Sequence, residues 1–134
     1  MTLNATFPDL RGRSVFITGG GAGIGAFLTD GFLAQGAKVS FVQRSDATAF
    51  CNEMEEKHGQ RPFAQTCDIS DIAALRSSLA AAADEHGPVT VLVNNAANDN
   101  RHQLADITPE SWDMGQAVNL RPHVFTAQAA VDGM

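Results

Sequence analysis

The chain has 134 residues, of which 44% are apolar, and its formal net charge is −6 at pH 7. These values exclude an intrinsically disordered chain and predict one domain with a sizeable buried core. The acidic balance, without any run of basic residues, argues against nucleic acid or an anionic membrane as the main partner. No stretch approaches the ~20 apolar residues of a membrane helix, so we predict a cytoplasmic protein.

Apolar runs alternate with helical patterns four times along the chain. In chain order, we predict a strand over residues 14–18, a helix over 22–35, a strand over 38–43, a helix over 46–58, a strand over 61–66, a helix over 71–86 and a strand over 89–93. Either Ser70 or Asp71 would cap the third helix. A loop over 94–107 follows, and then a long helix, with Thr108 as its N-cap and Pro109 as its first residue, runs to the end of the chain.

Strands that alternate with helices predict an α/β fold, in which a parallel sheet is covered by helices on both faces. Right-handed crossover connections favour the doubly wound strand order 3-2-1-4. No linker or repeat divides the chain, so residues 1–134 are expected to belong to one domain. Four aromatic residues are expected to pack in the core: Phe27, Phe32, Phe41 and Trp112.

The cysteines and histidines suggest neither disulfides nor a metal site. Cys51 and Cys67 form no closely spaced pair, which favours a reducing compartment, and we expect both to be buried thiols rather than nucleophiles. The histidines lie at positions 58, 86, 102 and 123, without the spacing of metal ligands. We therefore predict no bound metal.

A glycine-rich turn joins the first strand to the first helix, with the sequence Thr18-Gly19-Gly20-Gly21-Ala22-Gly23-Ile24-Gly25. Glycines permit a tight turn and let backbone N–H groups approach a pyrophosphate, and the helix N-terminus offers further unpaired donors. No Lys-Ser or Lys-Thr pair follows, so the turn is not a P-loop. A loop that merely requires positive φ is the competing interpretation, which the position between a strand and a helix disfavours.

Four motifs, in order, resemble those of the short-chain dehydrogenase/reductase family. They are Thr18-Gly19-x-x-x-Gly23-x-Gly25 after the first strand, Cys67-Asp68-Ile69 after the third strand, Asn94-Asn95-Ala96-Ala97 after the fourth strand, and Val118-Asn119-Leu120 in the last helix. The third motif departs from the family's Asn-Asn-Ala-Gly in having alanine at its last position. The resemblance covers residues 14–120 and implies a Rossmann fold that binds NAD(H) or NADP(H).

The resemblance assigns a role to each motif. The residues implied to bind the cofactor are Gly19, Gly21, Ala22, Gly23, Ile24, Gly25, Arg44, Asp68, Ile69, Asn95 and Ala96. Within this set, Asp68 would contact the adenine ring, and Asn95 and Ala96 would lie beside the adenosine ribose. Structural alternatives remain: Asp68 could be a helix-entry residue before Ser70, and the asparagines at 94 and 95 could tie neighbouring strands together.

The end of the second strand bears on the choice of cofactor. Gln43 stands where NAD-preferring family members carry an aspartate, which accepts the ribose 2′-OH. Arg44 and Ser45 offer donors to a 2′-phosphate, so we predict that NADP is preferred and that NAD remains usable. Arg44 could instead stack on the adenine, and the charge of the nearby Asp46 complicates the prediction.

Most of the family's catalytic residues are absent from this chain. The resemblance implies a serine and a Tyr-x-x-x-Lys pair, in which the tyrosine is the general acid/base and the lysine lowers its pKa. The chain contains no tyrosine, and only Asn119 of the catalytic tetrad is present, where it would hold a water in a proton relay. We therefore predict that the 134-residue chain by itself is inactive.

Two functions are compatible with this pattern. The first is the N-terminal portion of an NAD(P)-dependent oxidoreductase, truncated before the later strands of the sheet and homo-oligomeric at full length. The second is a non-catalytic dinucleotide-binding module that senses or sequesters the cofactor. The lack of tyrosine would favour the second function if the chain were complete.

The loop after the fourth strand contains the candidate substrate residues Asn98, Asp99, Arg101 and His102. Loops beyond the carboxyl ends of parallel strands are where ligands bind in such sheets. This loop resembles that of sugar (aldose) dehydrogenases within the family, and its polar side chains could hydrogen-bond the hydroxyls of a small-molecule substrate. The alternative is a solvated loop in which Asp99 pairs with Arg101.

Overall fold

Four short apolar runs form one parallel sheet in the computed structural model, which describes residues 5–134. The strands are β1 (Ser14–Thr18), β2 (Lys38–Gln43), β3 (Phe63–Thr66) and β4 (Val91–Asn94). Their spatial order, β3-β2-β1-β4, confirms the predicted doubly wound order. Strand β1 lies between β2 and β4, and all of its residues are buried because helices cover both faces of the sheet.

Helices follow each strand, and the last of them differs from the prediction. The helices are α1 (Gly23–Ala34), α2 (Thr48–His58), α3 (Ile72–His86), α4 (Pro109–Asn119) and α5 (Arg121–Ala130), with short 3₁₀ turns at Pro8–Leu10, Leu104–Asp106 and Val131–Gly133. The prediction of a single long final helix is wrong, because the helix breaks at Leu120, where φ is −128° and ψ is −54°. Pro122 explains the break, since it has no N–H to donate to Val118 and its ring clashes with that carbonyl.

Side-chain caps fix where two of the helices begin. Asp71 caps α3, because its Oδ1 accepts a hydrogen bond from the N–H of Ala74 at 3.0 Å, which decides between the two predicted caps. Thr108 caps α4 as predicted, and the bond from its own N–H to Ser111 Oγ at 3.0 Å completes a capping box. Pro109 takes the first turn of α4, where its missing N–H leaves no helical bond unmade.

The core consists of two apolar layers, one on each face of the sheet. The layer under α1 and α2 contains Val15, Ile17, Val39, Phe41 and Met54, and the layer under α3 and α5 contains Phe16, Val42, Leu75, Leu79 and Ala130. Cys51 and Cys67 are also buried, as predicted. Burial raises the pKa of both thiols, which keeps them neutral and unreactive.

Two of the four aromatic residues predicted to be in the core are exposed. Phe41 is fully buried and Phe32 packs at the margin of its layer, but Phe27 is 69% exposed and Trp112 is 59% exposed. The buried stripe of α1 is Gly25, Thr29 and Leu33, so Phe27, two residues from the stripe, faces away from the sheet. Trp112 lies on α4, a helix without any buried residue.

A polar pair, fully buried at Ser40 and half-buried at His86, joins the end of α3 to the sheet. His86 Nδ1 lies 3.0 Å from the hydroxyl of Ser40, and its ring packs edge-on against Phe63 with centroids 6.3 Å apart. Burial lowers the pKa of His86 from its ordinary value of 6.5, nearby Lys38 lowers it further, and Glu85 opposes the change. The folded protein therefore favours the neutral ring more strongly than the unfolded chain does.

Acidification is expected to destabilise the protein through His86. Because the folded pKa is lowered, the stabilisation is fully present above pH 6.5 and is lost as the pH falls from that value towards the folded pKa. The measurement is the free energy of unfolding in urea between about pH 7.5 and about pH 5, for the wild type and for His86→Gln, which does not titrate. A His86→Gln curve with the same slope as the wild type over this range would show that His86 does not contribute.

Candidate functional site

The carboxyl ends of the strands bring three loops to one edge of the sheet. They are the glycine turn after β1, the turn between β2 and α2, and the loop after β4. The chain leaves β1 towards β2 on one side and returns to β4 on the other, so the strand order reverses at β1. In doubly wound sheets, ligands bind in the crevice at such a switch point.

The glycine turn is tight because its backbone packs against itself. Gly19 has a φ of +73°, which L side chains rarely adopt, and its N–H donates to the carbonyl of Val42 at 2.7 Å. A Cβ added at Gly25 would lie 1.7 Å from the carbonyl oxygen of Gly19. A Cβ at Gly21 would lie 2.2 Å from Gln43 Oε1. Side chains at these positions would clash with the protein's own atoms, so the turn can pack this closely only with glycine.

The N-terminus of α1 presents free backbone donors to this space. The cap residue Ala22 makes no side-chain hydrogen bond, and the first turn contains no acidic residue. The first helical bond runs from the N–H of Ala26 to the carbonyl of Ala22, so the N–H groups of the preceding residues have no acceptor within the helix. Ile24, at this end of the helix, is 74% exposed. Unpaired donors and the positive end of the helix dipole together favour a phosphate.

Asn95 ties the end of β4 to the glycine turn. Its Nδ2 donates to the carbonyls of Thr18 and Gly19, each at 3.1 Å. In return, the hydroxyl of Thr18 accepts the N–H groups of Asn95 and Ala96, each at 3.0 Å. Asn94 ties β4 to α5 instead, since its Oδ1 accepts the hydroxyl of Thr126 at 2.8 Å. Asn95 therefore joins neighbouring strands, which was one of the two interpretations, whereas Asn94 joins its strand to a helix. Contact of Asn95 and Ala96 with a ribose stays a prediction.

The sequence analysis did not single out the hydroxyls of Thr18 and Thr126. Each is completely or almost completely buried and joins residues far apart along the chain. The local signals for Thr18 are its place at the end of an apolar strand and at the start of the glycine motif. The acceptor that makes this hydroxyl useful lies 77 residues away, so its role could not be predicted from the local pattern.

Asp68 and Ile69 face different environments after β3. Asp68 is exposed, and its Oδ1 accepts the hydroxyl and the N–H of Ser70 at 2.7 and 2.9 Å. These bonds hold the pKa of the Asp68 carboxyl below its usual value, with a smaller contribution from the charge of Arg44. The structure thus shows the helix-entry role, while contact with adenine stays a prediction. The side chain of Ile69 is buried in the core, which leaves its backbone for any contact with a cofactor.

Asn119 clamps the loop that follows β4. Its Oδ1 accepts the N–H of Asn98 at 2.7 Å, and its Nδ2 donates to the carbonyl of the same residue at 2.9 Å. A cavity of about 330 Å³ lies between this loop and α4, and Asn98, His102, Trp112 and Asn119 are among its lining residues. The observed role of Asn119 is to hold the loop, and its role in holding a water stays a prediction.

The candidate substrate side chains in this loop are open to solvent. The side chains of Asp99 and Arg101 are 89% and 90% exposed, and their charged groups lie 3.8 Å apart. This separation fits the solvated ion pair that was the alternative interpretation, and such exposed pairs contribute little to stability. Asn98 and His102 are exposed as well and line the same cavity. Substrate contact stays a prediction for all four residues.

Within residues 5–134, no group of three His, Cys, Asp or Glu side chains is arranged to hold a metal ion. In the same part of the chain, no helix combines the length and the apolar character that crossing a membrane requires.

Fold and site together define a class of protein. A doubly wound parallel sheet with a glycine turn at its switch point, and with free N–H groups at the following helix, is a dinucleotide-binding domain. Residues 13–134 match the profile of the family described as short chain dehydrogenase. The chain belongs to this family.

Two curated relatives are similar over nearly the whole chain. D-xylose 1-dehydrogenase of Caulobacter vibrioides is 45% identical over 132 residues, which are 98% of this chain and 52% of that protein. A Rhizobium meliloti protein named "probable galactose dehydrogenase" is 44% identical in an alignment of 137 positions, which covers 100% of this chain and 54% of that protein. The chain thus spans about half the length of the curated relatives it matches.

Solved structures confirm the fold. A blue fluorescent protein from a metagenomic library, in complex with NADPH, is 35% identical with a TM-score of 0.87, over 93% of this chain and 52% of that chain. A short chain dehydrogenase of Burkholderia cenocepacia J2315, in complex with NADP, is 32% identical with a TM-score of 0.85, over 92% of this chain and 51% of that chain.

Proposed function

We propose that this chain is the cofactor-binding portion of an NADP-preferring dehydrogenase that transfers a hydride to or from a small sugar. The observation that carries the proposal is the tight glycine turn at the switch point, followed by the free N–H groups of α1, to which a pyrophosphate would bind. The similarity to a xylose and a galactose dehydrogenase supports the sugar as substrate class. The relatives in complex with NADPH and NADP support a nicotinamide cofactor.

Each predicted residue has a place in this proposal. The backbone from Gly19 to Gly25 holds the pyrophosphate, Asp68 and the backbone of Ile69 flank the adenine, and Asn95 with Ala96 flanks the ribose. Asn98, Asp99, Arg101 and His102 hydrogen-bond the hydroxyls of the sugar. When bound, the cofactor accepts or supplies the hydride, and the protein orients it and excludes water.

The acid/base of the reaction must lie outside these residues. The chain contains no tyrosine, so the phenol that the family uses to move the substrate proton is not among the 134 residues. We therefore expect the chain alone to bind the cofactor without turning over substrate. Further parts of the proposal are a cytoplasmic location and a homo-oligomer. The non-catalytic module remains the second candidate, which the lack of tyrosine would favour if the chain were complete.

The proposal is tested by cofactor binding and by sugar oxidation on the intact protein as it is made in its source. Quenching of protein fluorescence by NADPH and NADH measures binding, and absorbance of the reduced cofactor measures oxidation of D-xylose and D-galactose. Oxidation of either sugar supports the dehydrogenase. Binding without oxidation of any aldose would favour the non-catalytic module, and binding of neither cofactor would refute both.

The preference for NADP is expected to depend on Arg44. In Gln43→Asp with Arg44→Ile, the new carboxylate can accept the ribose 2′-OH, and the phosphate loses its charged donor. The ratio of NADPH to NADH affinity should fall by about 10- to 100-fold, as the loss of one or two charged hydrogen bonds implies. Arg11→Ile is the matched control, because Arg11 is exposed and precedes β1, at the opposite edge of the sheet. An unchanged ratio in the double variant would contradict the assignment.

A further inference from the structure

Asp46 poses a problem for a phosphate site at the end of β2. It follows Arg44 and Ser45 directly, and a carboxylate beside a 2′-phosphate would repel it. In a site built for NAD, an acid here would instead accept the ribose 2′-OH. The direction in which the Asp46 side chain is held decides whether it repels the phosphate, accepts the 2′-OH, or instead binds other groups of the protein.

The Asp46 carboxylate is bound to the beginning of α2. Its Oδ1 accepts the hydroxyl of Thr48 at 2.8 Å, and its Oδ2 accepts the N–H of Thr48 at 3.2 Å. Ala47, the residue that precedes the helix, provides no side-chain cap, so Asp46 satisfies one of the free N–H groups of the first turn. The positive end of the α2 dipole further stabilises the carboxylate in this direction. Both oxygens are thus engaged by Thr48.

Gln43 holds the other end of the same turn. Its Nε2 donates to the carbonyl of Ser45 at 3.1 Å and to the hydroxyl of Ser45 at 3.3 Å. A Cβ added at Gly21 would lie 2.2 Å from its Oε1, so the carboxamide also packs against the glycine turn. Gln43 therefore connects the turn that would hold the pyrophosphate to the turn that would hold the 2′-phosphate.

Packing holds the two ends of this turn, because Val42 and Ala47 are buried in the core. The residues between them, Arg44, Ser45 and Asp46, are exposed. A cavity of about 260 Å³ lies beside them, and Ser45 and Asp46 are among its lining residues. The hydrogen bonds of Gln43 and Asp46 are therefore what keep the exposed part of the turn in place.

We propose that Asp46 is a positioning residue that favours NADP(H) over NAD(H), although its charge alone would do the opposite. By anchoring the turn to α2, it holds the backbone that presents Arg44 and Ser45 to the 2′-phosphate. This inference rests on the proposed cofactor site. Repulsion by the Asp46 carboxylate alone would predict tighter NADPH binding when that carboxylate is removed, whereas this inference predicts weaker NADPH binding.

Three variants of the intact protein separate position from charge. Asp46→Ala removes both the charge and the tie to Thr48, Asp46→Asn removes the charge but keeps an oxygen acceptor, and Thr48→Val keeps the charge but loses the hydroxyl donor. The affinities for NADPH and NADH are measured by fluorescence titration, and a thermal melt shows that each variant is folded. NADH is the internal control, because it lacks the 2′-phosphate.

The expected result is that Asp46→Ala binds NADPH about five- to tenfold more weakly, a factor typical of losing a helix-capping contact. Thr48→Val should change in the same direction, Asp46→Asn should bind NADPH more tightly than Asp46→Ala, and NADH affinity should be unchanged in all three. Equal tightening of NADPH binding by Asp46→Ala and Asp46→Asn would overturn the inference in favour of simple repulsion. Loss of NADH affinity alone would overturn it in favour of a 2′-OH acceptor. If the wild type bound neither cofactor, the proposed function would fail, and the inference with it.

Discussion

Gly25→Ala is expected to weaken cofactor binding and to destabilise the protein, although alanine is the better helix former. In a helix interior the exchange would normally stabilise by about 0.5–1 kcal/mol. At Gly25 the added Cβ would lie 1.7 Å from the carbonyl oxygen of Gly19 and 2.8 Å from Nδ2 of Asn95. Because the nearest atom belongs to the backbone, the turn must shift, and we expect a net loss of about 1–3 kcal/mol, as for an overpacked core. NADPH affinity should fall at least about tenfold, since a shift of this backbone moves the phosphate donors.

Gly31→Ala is the matched control for this prediction. Gly31 lies in the same helix, and nothing lies within 4 Å of a Cβ added there. The control should therefore show the propensity gain of about 0.5–1 kcal/mol without any change in cofactor affinity. Urea denaturation and fluorescence titration of both variants give the comparison. If Gly25→Ala were as stable as Gly31→Ala and bound NADPH like the wild type, the close approach of α1 to the turn would not matter for function.

Phe41→Ala should be the most destabilising single substitution of those considered. Phe41 is completely buried in β2 and packs edge-on against Phe50, with ring centroids 6.0 Å apart. Its side chain also lies under the glycine turn, since a Cβ at Gly20 would come within 2.4 Å of it. Removing the ring should cost about 3–5 kcal/mol, which is a large share of the stability of a typical domain.

Phe27→Ala is the matched control for Phe41. Phe27 is 69% exposed on α1, so its loss should change the free energy of unfolding by no more than about 0.5 kcal/mol. The measurement is urea denaturation of both variants, with Phe41→Leu as a milder substitution that retains a folded protein. Similar losses for Phe41→Ala and Phe27→Ala would contradict the assignment of the core.

Phe41→Ala and Gly25→Ala together test how the core and the candidate cofactor site depend on each other. Phe41 packs against Gly20, and Gln43, two residues later in β2, packs against Gly21. The glycine turn is therefore shaped by the strand next to it as well as by its own residues. A loss of stability at Phe41 and a loss of binding at Gly25 would thus reflect one contiguous structure at the switch point.

The local pattern of residues determined the secondary structure and the strand order. The apolar runs over residues 14–18 and 38–43 each begin two residues after a glycine, and Gly19 ends the first of them, so their existence and type followed from the local pattern. The order β3-β2-β1-β4 then followed from short right-handed crossovers. The presence of the glycine turn and of the Thr108 cap was also readable, because each is signalled by residues close together in the chain, although the exact shape of the glycine turn depends on distant residues as well.

Only the tertiary structure decided which way individual side chains face. The carboxamide of Asn95 binds Thr18, 77 residues earlier in the chain, and that of Asn119 binds Asn98, 21 residues earlier. Phe27 and Trp112 are apolar like the core residues, yet they are exposed because their helices bury other faces or none. The pattern within a segment records what its residues prefer, whereas a hydrogen-bond partner or a buried face depends on segments that come together only in the folded chain.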